Sequence, residues 1–378
     1  MRMSRPFSRF ISRFSAIAAD YPISSISVFL GICCALAFAP PANAQAQSED
    51  KLNTTVPSVG ASFKIDDLGL FYEVADDVTV SLNRDGTVAY WTKRADGSVH
   101  ASFWSKGQAA TVEDVPGYPN TIAHAINRRG DIAGWMNSSN NPVDSLSTTR
   151  GFVRRDGHIQ QTPGLGGRDS RVFGLNDGGT LVGAATTASG ARHAFVISDL
   201  RISDLGTLPS GKSSSAYAIN SSAIVVGTAD VDGRSNHAVS WNQGKIKDLG
   251  TLPRGITSSA RAINDRGQVV GFADTADGVH AFLYADGRMR DLGTLGDDPS
   301  EASGINNRGD VVGASSISFR ARHAFLWRDG RMTDLNALKP KGSPWVLSDA
   351  FSINDRGQIV CAARTRGRPI HLLLLTPQ

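Results

Sequence analysis

Six of the eight histidines recur at one position of a repeating pattern: His100, His193, His237, His280, His323 and His371. Imidazole is the commonest metal ligand, but zinc needs its ligand nitrogens about 2.1 Å from a single ion. One histidine per repeat spreads the rings around the molecule, where they cannot converge. They are therefore expected to hydrogen-bond loop backbone within or between repeats, and no metal or other cofactor is expected. Asp230-Val231-Asp232-Gly233 and Asp274 with Asp277-Gly278 contain the residue types of a calcium loop. Such a loop spaces its ligands over about 12 residues and closes on an acidic one. Neither segment does so, and both read as acidic loop tips. The carboxylate pairs Asp76-Asp77 and Asp297-Asp298 fall in polar segments and read as solvated.

Catalytic signatures are absent. The chain holds no G-x-S-x-G, H-E-x-x-H or G-x-G-x-x-G, and its one G-x-x-x-x-G-K match, Gly206 to Lys212, overlaps a copy of a strand motif that recurs along the chain. That does not exclude an enzyme whose site is assembled from several repeats. Binding chemistry has better candidates in Tyr217, Arg261 and Trp345. Aromatic and arginine side chains most often carry binding energy. Tyr217 and Arg261 belong to a set of irregular residues, with Arg171, Glu301 and Asp349, in the first strand of successive repeats. The alternative is that this set merely lines a wet channel.

The repeat must position these residues. Asp-Leu-Gly-Thr-Leu occurs at 204–208, 248–252 and 291–295, and as Asp-Leu-Asn-Ala-Leu at 334–338. A second motif, Ile/Leu-Asn followed by a turn, places Asn83, Asn127, Asn176, Asn220, Asn264, Asn306 and Asn354 at intervals of 42 to 49 residues. In the unit 258–295, Ser258 to Ile263 alternates as a strand does. Asn264-Asp265-Arg266-Gly267 is a turn, Gln268 to Phe272 a strand, and His280 to Tyr284 another. Asp286-Gly287 is a two-residue hairpin turn, and Arg288 to Leu292 a fourth strand.

Seven units of four short antiparallel strands predict an all-β fold, a seven-bladed β-propeller. One small sheet cannot bury both faces alone, whereas blades stacked around an axis bury each other. The alternative is an open stacked β-solenoid, whose repeats are usually shorter. Positions two and four before each asparagine are small, as at Ala218 and Ala216 or Ala262 and Ala260, which suits inner strands crowded at an axis. The last unit lacks its fourth strand, and Lys64-Ile65-Asp66-Asp67-Leu68-Gly69 resembles the fourth strand Lys245-Ile246-Lys247-Asp248-Leu249-Gly250. The N-terminal segment is thus expected to complete the last blade and close the ring. Loops between strands two and three, and between units, are long and variable. The other two sets are tight, so the two faces of the ring should differ.

Residues 1–44 read as a secretory signal. Arg2, Arg5, Arg9 and Arg13 precede an apolar run from Ile26 to Ala39 and an Ala42-Asn43-Ala44 cleavage site. At 14 residues the run is shorter than the roughly 20 a spanning helix needs. The alternative is an uncleaved anchor. Residues 45–63 read as a linker and 64–378 as the propeller. The first segment carries +3 of the formal charge of +4. The near-neutral remainder has no basic patch for nucleic acid. Only Cys361 follows the signal, so no internal disulfide can form. Its place in the repeat is taken elsewhere by Gly183, Gly227, Gly271 and Gly313, which marks a buried, unreactive small residue.

His193-Ala194-Phe195, His280-Ala281-Phe282 and His323-Ala324-Phe325, with the Asp-Leu-Gly-Thr-Leu strands, resemble the HAF-repeat family of bacterial extracellular proteins. The likeness covers 64–378. It weakens in the early units, where Arg150-Gly151-Phe152 replaces the tripeptide. It implies an exported β-propeller and no particular activity. Together these readings give a secreted or periplasmic, monomeric, non-catalytic binding module, with a protein or glycan ligand on the variable-loop face. The alternatives are a propeller hydrolase or lyase acting on glycans or peptides, and a purely structural surface protein.

Overall fold

In the computed structural model, residues 63–71, 80–139, 148–319 and 321–378 are described. The signal and linker readings lie outside them, apart from Phe63. Twenty-eight strands form seven four-stranded antiparallel sheets. Blades 1 to 6 take consecutive strands, A innermost to D outermost, over 81–111, 120–161, 166–206, 214–250, 258–291 and 300–334. Blade 7 takes strands A to C from 346–377, and its strand D is Phe63–Leu70. That strand starts one residue before the expected boundary and pairs from Phe63 opposite Pro377 to Leu70 opposite His371. Among the described residues no helix is long and apolar enough to cross a membrane.

The hydrophobic core lies between blades. Val226, Ala238 and Leu249 of blade 4 pack with Ala260, Val269 and Phe282 of blade 5, and the other clusters repeat this arrangement. Phe195, Phe282 and Phe325 of the His-Ala-Phe tripeptides are fully buried. At the inner end, a Cβ on Gly174 would lie 2.9 Å from the Tyr217 carbonyl of the next blade. The small residues before each asparagine are therefore required by the approach of neighbouring inner strands.

The recurring polar residues of the repeat hold the ring together. Each motif asparagine shapes its own turn, as expected. The Oδ1 of Asn264, for example, accepts from the backbone N–H of Arg266 and Gln268. Its Nδ2 also donates to the backbone carbonyl of the asparagine in the next blade. This link runs unbroken from Asn83 to Asn127, Asn176, Asn220, Asn264, Asn306, Asn354 and back to Asn83, at 3.0 to 3.3 Å. Replacing Asn354 with Asp keeps the turn acceptor and removes the donor beside a buried carbonyl. Urea unfolding should show a loss of about 1–3 kcal/mol. An unchanged midpoint would show that the turn alone matters.

The histidines require a correction: their partners are carboxylates of strand D or just after it, not loop backbone. His193, His237, His280 and His323 donate through Nδ1 to Asp204, Asp248, Asp291 and Asp334 at 2.7–2.8 Å. His100 meets Asp114 at 3.0 Å, and His371 meets Asp67 of the closing strand at 2.9 Å. In the Asp-Leu-Gly strands the other oxygen of the same carboxylate accepts the glycine N–H two residues on, as at Gly206, Gly250 and Gly293. A serine of the next blade completes the joint. Ser258 donates to the Gly250 carbonyl at 2.6 Å and accepts from Ala238 N–H at 2.8 Å. The repeated His, Asp, Gly and Ser residues are thus one inter-blade clamp.

His280 differs in having two carboxylates, Asp291 on Nδ1 and Asp298 on Nε2, each at 2.7 Å. Burial opposes its charged form, but the two carboxylates outweigh burial and raise its pKa above the ordinary histidine value. A raised folded pKa stabilises the fold below the unfolded value of about 6.5, and this contribution fades as pH climbs through the folded pKa. The melting-temperature difference between the parent and His280→Gln should therefore be largest near pH 6 and shrink towards pH 9. A difference that grows with pH would contradict the assignment. The clamp is partly exposed, so the change should cost only about 1 kcal/mol.

Candidate functional site

Every inner strand from blade 2 to blade 7 carries a one-residue bulge three positions before its asparagine. The register shifts fall between Ala123 and Ala125, Val172 and Gly174, Ala216 and Ala218, Ala260 and Ala262, Ala302 and Gly304, and Ala350 and Ser352. The extra residues are His124, Phe173, Tyr217, Arg261, Ser303 and Phe351. A bulge re-aims a side chain and leaves it outside the ladder. On an innermost strand, this presents one side chain per blade around the axis.

Four of these residues form a continuous series across blades 2 to 5. The ring centroids of His124 and Phe173 lie 5.1 Å apart, and those of Phe173 and Tyr217 5.6 Å apart. The Arg261 guanidinium lies 4.8 Å from the centre of the Tyr217 ring and 5.1 Å from that of Phe272. Trp135 extends the series, donating from Nε1 to His124 Nε2 at 2.8 Å, with the Arg171 guanidinium over its ring at 4.5 Å. Beyond blade 6, Phe351 packs on Phe71 at 5.6 Å and Phe71 on Trp91 at 6.2 Å.

The residues five positions before the asparagines sit nearer the variable-loop face, because the tight asparagine turns mark the opposite end of each inner strand. Here Arg322 lies between two carboxylates, 2.8 Å from Asp349 and 3.4 Å from Glu301. Arg192 donates to Ser215 at 3.1 Å. Tyr217 is half-buried and Arg261 exposed. Among the described residues Arg261 has no carboxylate partner. His124, Phe173 and Trp135 are buried, so the series offers the half-buried Tyr217 ring and the Arg261 guanidinium on one arc, and charge-compensated carboxylates on the next.

The structure brings Tyr217 and Arg261 together and leaves Trp345 apart. Trp345 precedes strand A of blade 7, and its ring leans outward onto His371 at 5.1 Å. It borders a shallow cavity of about 470 Å³ with Phe63, Lys64, Ile65 and Pro344, at the outer edge of the closing blade. Sequence reasoning had also mixed two columns: Arg171, Glu301 and Asp349 lie five before their asparagines, Tyr217 and Arg261 three before. His124, Phe173 and Phe351 were missed. Aligning the repeats on the asparagines would have found them, but nothing in the sequence announces the bulge. Asp230 and Asp274, read from sequence as acidic loop tips, anchor their loops. Asp230 is buried and accepts from the N–H groups of Lys212 and Gly233, and Asp274 accepts from those of Ile256 and Thr257. Cys361 is fully buried, and desolvation, with Asp349 nearby, pushes its thiol pKa well up.

No protein-family model matches the chain, nor does any curated protein. A puromycin-hydrolyzing peptidase of Mycobacterium tuberculosis superposes with a TM-score of 0.50 at 11% identity, over 79% of this chain and 52% of that one. The β-propeller domain of the Trilobed protease from Pyrococcus furiosus gives 0.48 at 12%, over 68% and 80%. TolB from Acinetobacter baumannii gives 0.44 at 14%, over 78% and 64%. At such identities the likeness extends to the fold alone. The chain is a seven-bladed β-propeller whose own N-terminal strand closes the last blade.

Proposed function

We propose that this chain is an exported, non-catalytic binding module of HAF-repeat type that takes a protein or glycan ligand at the axial mouth of its variable-loop face. The observation that carries the reading is the series His124, Phe173, Tyr217 and Arg261, supplied by bulges on four consecutive blades. Binding sites are commonly carried by variable loops on a rigid scaffold, and here the ring of asparagine links and inter-blade clamps is the scaffold. The export reading rests on residues 1–44.

Screening the purified protein on glycan and peptide arrays, followed by calorimetry, tests this. Tyr217→Ala should weaken the selected ligand by about tenfold or more, as expected for an aromatic hot spot. Its melting temperature should stay near that of the parent. Trp345→Ala should leave that affinity unchanged, since Trp345 lies outside the axial cluster. A ligand indifferent to Tyr217 and Arg261 and sensitive to the asparagine-turn face would sink the assignment.

The alternative, a glycan- or peptide-cleaving enzyme, would have to use Glu301 and Asp349, the carboxylates at this mouth. Both are ion-paired with Arg322. Product release from an array ligand, lost in Glu301→Gln and Asp349→Asn, would establish that reading instead.

A further inference from the structure

We propose that the asparagine-turn face, opposite the axial mouth described above, holds two neighbouring carboxylate-binding slots built on Arg84 and Arg128. They are separate from the ligand site at Tyr217 and Arg261, and they arise from a break in the repeat.

The residue after each motif asparagine is Arg84, Arg128, Asp177, Ser221, Asp265, Asn307 or Asp355, in blades 1 to 7. At four joints the backbone N–H of this residue donates to the side chain at the same turn position of the next blade. Arg128 reaches Asp177 at 2.7 Å, Ser221 reaches Asp265 at 3.0 Å, Asp265 reaches Asn307 at 2.9 Å and Asn307 reaches Asp355 at 2.8 Å. At two consecutive joints the acceptor is missing. Asp355 is followed around the ring by Arg84, and Arg84 by Arg128. The preceding asparagines are linked at 3.1 Å at both joints, so these turns are neighbours like the rest. A guanidinium has no lone pair to offer an N–H. Among the described residues, neither the Asp355 N–H nor the Arg84 N–H has an acceptor, and neither the Arg84 nor the Arg128 guanidinium has a carboxylate partner. The Asp177 N–H, followed by Ser221, also lacks an acceptor, but no cation stands beside it.

The repeat itself shows what fills such a slot. At Asp177, Asp265 and Asp355 a carboxylate oxygen takes the N–H of the preceding blade. At each broken joint an outside carboxylate would accept one backbone N–H and pair with one guanidinium, two charge-assisted contacts. Arg84 and Arg128 are exposed, so both charges are open to solvent. The carboxylates nearby are already occupied. Asp355 accepts from the N–H and Nδ2 of Asn307 at 2.8 and 3.1 Å, Asp177 accepts from Arg128 N–H, and Asp85 pairs with Arg356 at 3.2 Å. Two slots on adjacent turns suit a molecule with two carboxylates, either a free dicarboxylate or a peptide with closely spaced acidic side chains.

Amide NMR of the purified protein tests this with succinate and a capped Asp-Gly-Asp peptide, against sodium chloride of equal ionic strength. The Arg84 and Asp355 amide signals should move downfield and saturate with either carboxylate, and not with chloride. Arg84→Ala and Arg128→Ala should each weaken the response about fivefold, the worth of an exposed ion pair. Arg84→Asp restores the repeat's own acceptor. The Asp355 signal should then lie downfield without any probe and stop responding to succinate. Peptide binding tenfold tighter than succinate would identify a protein partner as the source, and equal or weaker binding a free dicarboxylate. Tyr217→Ala should alter neither titration, which keeps the result distinct from that for the axial ligand. No saturable shift, the same shift with chloride, a response to phosphate without one to succinate, or indifference to Arg84→Asp would overturn the proposal.

Discussion

Deleting Phe63–Leu70 should abolish cooperative unfolding of the propeller. This strand has no sequence neighbour in its blade: it arrives from the other end of the chain and pairs with Leu373, Leu374, Leu375 and Thr376 of strand C. Phe63 and Leu68 are buried, and they belong to different core clusters. One secures blade 7 against blade 6 and the other against blade 1. Removing buried side chains of these types costs about 2–5 kcal/mol each. Their joint loss is comparable with the roughly 5–15 kcal/mol that holds an ordinary domain together. The deletion also strips the backbone partners of strand C and the Asp67 carboxylate that holds His371. Circular dichroism should show a broad transition, and hydrogen exchange should be fastest at blades 7 and 1. Deleting residues 45–60 instead should leave a single sharp melt. If the chain lacking Phe63–Leu70 melts as sharply and at the same temperature, the ring is held by its asparagine links and not by the shared blade.

Gly271→Ala should be a severely damaging addition of a single methyl group. A Cβ at Gly271 would sit 1.9 Å from the carbonyl oxygen of Ser259. The obstacle is backbone of the strand paired with it, so no side-chain rotation relieves it. The same approach recurs at Gly134, Gly183, Gly227 and Gly313, at 1.9 to 2.0 Å. Each faces the residue just before a bulge, where the inner strand swings towards its neighbour. Overpacking of this kind costs about 3 kcal/mol or more when only backbone can move. Because the displaced strand carries Arg261, ligand binding at the axis should weaken as well. Gly250→Ala is the control. Gly250 has a φ of +76° but nothing within 4 Å of the added Cβ, so only the left-handed backbone is penalised, by about 1–2 kcal/mol. Urea unfolding of the two variants should rank them in that order. The reverse ranking would mean that turn conformation, not strand approach, limits the repeat.

Architecture was legible in the sequence because it is periodic. A requirement met seven times leaves seven copies of its signature, and the asparagines, the Asp-Leu-Gly strands and the small residues before each turn are such copies. Blade number, strand order and closure by residues 64–69 followed from period, alternation and the missing fourth strand. What those polar residues do was less legible. Sequence identified the asparagine as a turn residue and the histidine as a structural donor. It could not show that Asn83 Nδ2 reaches Asn127, or that His280 finds Asp291 and Asp298, because such partners are set by how sheets stack.

The candidate site was decided by tertiary structure alone. Tyr217 and Arg261 were singled out for their residue types, and Trp345 on the same ground. Only the bulge in each inner strand explains why the first two meet at 4.8 Å while Trp345 lies over His371. A bulge shifts the register by one residue, and a one-residue shift in a strand reverses the face a side chain presents. The alternation written in the sequence therefore cannot by itself group Tyr217 and Arg261 with Arg171, Glu301 and Asp349, which lie before the bulge. The sequence determined the ring of seven blades, since repetition and burial leave few other solutions. Which side chains meet across blades 2 to 5 was decided by the bulges carried by the inner strands of blades 2 to 7.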